Sequence, residues 1–211
     1  MAVQRMSIHR ALAELKTYDD RILRVTQHDF VIANKKSNDK IKGKSIDETE
    51  RKIKGNLASF YALTENQRRI KAAVVLSNAA AIVKIADCEY TVAEAIERKA
   101  KLHHFENFHY TLKHQFNTQN EIADRENALL PEKLESYLQA ILGEKDKRIP
   151  ADIELHTKAF EERNKFVLID PCDVTKQIEE IGKKIEDFKT EVDYVLSESN
   201  ATTFIEVDLV D

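Results

Sequence analysis

From Thr91 to Leu129 the chain contains neither glycine nor proline. The two residue types most damaging to a helix interior are absent from the whole stretch. Pro131 follows, where a continuing helix would break. Thr91-Val92-Ala93-Glu94 opens the stretch with a capping box, in which hydroxyl and carboxylate satisfy each other's backbone amides. At 1.5 Å rise per residue such a helix is about 55 Å long. One small globule cannot cover that length, so the helix must run against a partner helix, in this chain or in another copy.

The rest of the chain is consistent with this. Gly numbers only 4 and Pro 3 among 211 residues, and 33% are charged, which favours long helices over an all-β fold. Ile8, Ala11, Leu15, Tyr18, Ile22 and Val25 recur at steps of three and four, with Ser7 as the N-cap. Phe30-Val31-Ile32 reads as a strand, and the Lys-rich segment from Asn34 to Lys44 as a loop. Ser45-Ile46-Asp47-Glu48 is a second capping box, and it opens a helix that runs through Gly55 to about Ser77-Asn78. Ile82-Val83-Lys84-Ile85 and Glu89-Tyr90 form a hairpin about an Ala86-Asp87-Cys88 turn.

Beyond Pro131 the spacing predicts a short helix stopped by Gly143, then one from Pro150 to about Asn164. Phe166-Val167-Leu168-Ile169 reads as a strand. Asp173 is the expected cap of a last long helix carrying Ile178, Ile181, Ile185, Phe188, Val192 and Val195. Thr202 to Val207 alternates as a final strand. The expected fold is mainly α (α+β), with long antiparallel coiled-coil-like helices and one small sheet at one end. That sheet would combine the hairpin with the strands near 30, 167 and 204. A single elongated domain over 1–211 is expected, with 129–164 as an inserted helical subregion, and the continuous apolar stripes imply a homo-oligomer.

Several function classes find no support. No run of about 20 apolar residues exists, so no membrane span is expected. Met1 to Met6 has no apolar core of a signal peptide, and two Cys make no disulfide framework, so a cytoplasmic location is expected. The net charge of -4 gives no basis for broad nucleic-acid binding. His103, His104, His109 and His114 lack the three- or four-residue spacing that puts two ligands on one helix face. Glu106-Asn107-Phe108-His109 is a lone Glu-x-x-His, whereas a di-iron bundle needs two. No nucleophile elbow or glycine-rich phosphate loop is present. No metal or cofactor is expected, and no enzyme.

One cluster invites a binding role. Asn66, Arg68, Arg69 and Lys71 lie together on the helix before the hairpin, with Tyr61 one to two turns earlier. Arginine suits bidentate contact with phosphate or carboxylate, and an aromatic ring can stack a base. Cations late in a helix also simply complement its dipole. Lys35, Lys36, Lys40, Lys42 and Lys44 would form a flexible rim, or merely a solvated loop.

The order of several short motifs resembles a known family. Ala11-Leu12-Ala13-Glu14-Leu15, the Asn78-Ala79 helix end, Tyr90-Thr91-Val92-Ala93-Glu94-Ala95-Ile96, Ile169-Asp170-Pro171 and Asn200-Ala201-Thr202-Thr203 together resemble the septicolysin-like family of small bacterial and phage helical proteins. Leu129 to Asn164 fits that pattern least. The resemblance implies an antiparallel helical fold with a small sheet, an oligomer and a phage origin. The family name implies a cytolysin, yet no apolar hairpin here is long enough to cross a bilayer. The expectation is therefore a non-enzymatic oligomeric phage protein that sequesters a small anionic ligand, such as a nucleotide signal of host defence. The alternative is a structural or assembly protein of the virion.

Overall fold

A computed structural model describes residues 2–210. They are mainly helical, and their strands form three separate two-stranded antiparallel ladders. The chain divides into two compact units, Met1–Ala100 with Asp187–Asp211, and Lys101–Glu186.

In the first unit, strand β1 (Ala2–Ser7) leads into helix α1 (Ile8–Thr26). The Ser7 hydroxyl caps that helix by accepting from the Arg10 amide at 3.2 Å. A hairpin of β2 (Lys40–Ile41) and β3 (Lys44–Ser45) precedes helix α2 (Ile46–Ala80). Strands β4 (Ile82–Ile85) and β5 (Cys88–Thr91) pair next and lead into helix α3 (Val92–Ala128). Helix α6 (Val174–Thr202) ends in this unit, followed by strand β6 (Phe204–Leu209). β6 pairs antiparallel with β1, with Met6 opposite Ile205 and Gln4 opposite Val207.

Alternation within β6 places Ile205 and Val207 inward. They complete a core with Met6, Ile8, Ala11 and Ile70 that ties α1, α2 and both terminal strands together. Tyr18 extends this core, and burial raises its phenol pKa. The Thr91 capping box forms in full. Its amide donates to Glu94 Oε2 at 2.7 Å, and its hydroxyl accepts from the Glu94 amide at 3.1 Å. The backbone amide first, then the hydroxyl, lowers the Glu94 pKa. In the Ser45 box, Glu48 turns instead to Lys44 at 2.8 Å.

The second unit holds the remainder of α3, helix α4 (Leu130–Leu142), helix α5 (Pro150–Asn164) and the start of α6. Within it α3 and α6 approach closely at Gly182, where an added Cβ would lie 3.1 Å from His109 Nε2. Gly143 ends α4 at φ +77°, a conformation that glycine adopts at little cost.

The shared sheet expected from the sequence does not form. Of its expected parts, the hairpin is the separate ladder β4–β5, and the strand near 204, β6, pairs with β1 instead. Neither Phe30-Val31-Ile32 nor Phe166-Val167-Leu168-Ile169 forms a strand, and neither belongs to any of these ladders. Both backbone groups of Phe166 bond instead to the side-chain amide of Asn127, at 2.9 and 3.0 Å. The Lys-rich loop contains the β2–β3 hairpin, turned by Lys42 and Gly43, both at positive φ as a tight two-residue turn requires. Asp173 sits at φ +52°, and the carboxylate that caps α6 belongs to Asp170, which accepts from the Val174 amide at 2.8 Å.

Candidate ligand-binding groove

The residues singled out in the sequence separate in three dimensions. Arg68 donates to both carboxylate oxygens of Glu65, each at 2.8 Å. Arg69 donates to Glu65 at 2.8 Å and to the Asp208 carbonyl of β6 at 2.8 Å. These arginines therefore form a local cluster about Glu65, and Arg69 links it to the C-terminal strand. Lys71 is exposed, and Tyr61 is exposed with its ring edge-on to Phe60. Asn66 is buried. Its amide donates to the Val210 carbonyl at 2.8 Å and accepts from the Val210 amide at 2.7 Å. Lys42 pairs with Asp29 and Lys44 with Glu48 at the loop.

The hydrogen bonds from Arg68, then those from Arg69, hold the Glu65 carboxyl down at about 2 instead of 4.5. A depressed carboxyl pKa stabilises the fold above the unfolded value, and the contribution disappears as pH falls through the folded value. Acid titration of unfolding should therefore show a component lost between pH 4.5 and about 2. Glu65→Gln should remove that component, so that variant and parent converge near the lower limit. Parallel acid curves across that interval would show that Glu65 does not carry it.

Asn66 also lines a groove that the sequence did not reveal. Residues of α1 and α2 line an open groove of about 780 Å³. The α1 wall carries Arg21 and Arg24 beside Tyr18 and Val25, and His28, just past the end of α1, continues it. The α2 wall is built largely of short side chains, Gly55, Ala58, Ser59 and Ala62. Leu63, Asn66 and Val210 lie toward the Tyr18 end. No Asp or Glu lines the groove. The Arg21 guanidinium lies 5.5 Å from the Tyr18 ring centroid, a cation–π distance. Among the described residues, Arg21, Arg24 and His28 form no ion pair.

The arrangement follows from helix geometry. Residues at i and i+3 share a helix face, so Arg21 and Arg24 lie side by side on α1, and His28 joins them from the turn that ends the helix. Gly55 and the alanines leave the facing wall without bulk, and this space becomes the groove. The sequence signal was present but divided. Arg21 and Arg24 lie off the apolar stripe of the first helix and Gly55 lies within the second, yet nothing in one dimension sets them opposite each other.

Among the described residues, no group of three or more His, Cys, Asp or Glu side chains is placed to hold a metal ion. No helix among them is long and apolar enough to cross a membrane. Cys88 and Cys172 are free thiols at exposed positions.

The class defined at this point is a mainly helical protein with small two-stranded antiparallel ladders and a basic interhelical groove. No protein-family model, curated protein or solved structure matches the chain.

Proposed function

We propose that this is a non-enzymatic binding protein that holds a small anionic ligand in the α1–α2 groove. One observation carries the reading: two arginines and a histidine line a groove of about 780 Å³ that contains no acidic side chain. Such a volume lies within the range of small-molecule sites. Guanidinium groups make charge-assisted hydrogen bonds to phosphate or carboxylate, stronger than neutral ones. Tyr18, Val25 and Leu63 supply apolar surface for an uncharged part of the ligand. A nucleotide has both kinds of surface, and sequestration of a nucleotide signal of host defence is the use proposed for the site.

Self-association belongs to the same proposal. Val31, Leu76 and Ile169 are 86%, 71% and 92% exposed, and large apolar side chains left in water favour association. The two unpaired apolar segments also favour the second reading, an assembly protein of a virion. Native mass spectrometry of protein purified from infected cells tests both. The expected result is an oligomer retaining a small anionic mass, with Arg21→Ala/Arg24→Ala losing that mass and remaining folded. Retention in Arg21→Ala/Arg24→Ala, with loss in Arg68→Ala/Arg69→Ala, would move the site to the Glu65 cluster. A ligand-free open polymer would support assembly.

A further inference from the structure

We infer that the ligand of this groove is an extended polyanion, with negative groups spread along the groove, and not a single phosphate or carboxylate; this rests on the groove being the binding site. The positive groups are not gathered at one point. Arg21 and Arg24 stand three residues apart on α1, and His28 follows just beyond the Gln27 cap that ends the helix. At 1.5 Å per residue the two arginine backbones are about 4.5 Å apart along the axis, and His28 continues the row past the end of the helix.

A site for one tetrahedral anion would draw its donors inward around it. Here the donors follow the wall of a groove, and the groove is much larger than one such anion needs. The opposite wall strengthens the inference. Gly55, Ala58, Ser59 and Ala62 run antiparallel to the basic row, so the free space continues along its length. Tyr18, with the Arg21 guanidinium over its ring, marks one end of the row, and His28 marks the other. An oligophosphate chain lying along the groove would meet one cation after another without leaving it.

The test uses the full-length protein and three probes: orthophosphate, pyrophosphate and tripolyphosphate, titrated calorimetrically at constant ionic strength. Affinity should rise by about tenfold with each added phosphate, as further charge-assisted contacts form. Arg24→Ala, at the centre of the row, should weaken tripolyphosphate binding about tenfold or more. His28→Ala should weaken tripolyphosphate but leave pyrophosphate within about twofold, because the shorter anion is satisfied by the two arginines. All three side chains are exposed, so their truncation should leave the fold intact.

Lys35→Ala/Lys36→Ala, in the exposed basic loop, should leave tripolyphosphate binding unchanged. An equal loss in that variant would mean diffuse charge attraction and would overturn the inference. Equal affinity for all three probes would also overturn it, leaving a single-anion groove and the binding reading intact. If none of the probes binds, the groove reading itself fails and the inference with it.

Discussion

Phe188→Ala is expected to lower the unfolding free energy by about 3–5 kcal/mol, the largest effect of any single truncation in the first unit. Phe188 is 1% exposed and ranks among the largest fully buried side chains. Its ring meets Tyr90 of β5 edge-on with centroids 6.0 Å apart, and the Arg98 guanidinium of α3 lies 5.3 Å from its centroid. One side chain on α6 therefore ties together the β4–β5 hairpin and the start of α3. Truncation removes the aromatic contacts and leaves a cavity beside a cation that the ring had covered. Urea denaturation checks this through a lowered midpoint at unchanged slope. A change below about 1 kcal/mol would show that the ring is not packed as described.

The second large effect is at Ile70, where substitution by Ala should cost about 2–5 kcal/mol. Ile70 is fully buried in the core that joins α1, α2 and the paired terminal strands. It packs into a cluster that includes Ile205 and Val207, so its loss should loosen the β1–β6 ladder as well as α2. Val75→Ala supplies the contrast. Val75 lies on the same helix but is 59% exposed, and its truncation should stay within about 0.5 kcal/mol. Similar losses at the two positions would mean that burial in this core does not set the cost, since alanine is the better helix former at both. Amide exchange should report the coupling, with faster exchange in β6 on Ile70→Ala and no change there on Val75→Ala.

Helices were the most legible part of the chain. Ser7, Ser45 and Thr91 each accept the amide three residues on, because a capping hydroxyl acts within a single turn. Pro131, Gly143 and Pro150 mark ends that depend only on local backbone conformation. The hairpin about Ala86-Asp87 was readable for the same reason, its partners being adjacent in sequence. Strand pairing at a distance was not. Phe30-Val31-Ile32 and Phe166-Val167-Leu168-Ile169 have β-prone composition, yet a strand exists only where another chain segment accepts its hydrogen bonds. β1 escaped notice because its alternation is weak, and its pairing with β6 spans nearly the whole chain.

The candidate site divides in the same way. Local cation density pointed to Arg68 and Arg69, and local geometry also explains them, since Glu65 lies one turn away. Asn66 looked polar and available, but tertiary structure commits its amide to Val210, far along the chain. The sequence by itself determined the mainly helical class, most helix limits and the β4–β5 hairpin, all set by forces acting over a few residues. Only the tertiary structure decided that the chain ends pair, that two apolar runs stay without a sheet, and that Arg21, Arg24 and His28 face the short side chains of α2. The physical reason is distance along the chain: a groove is a relation between two helix faces, and neither face alone contains it.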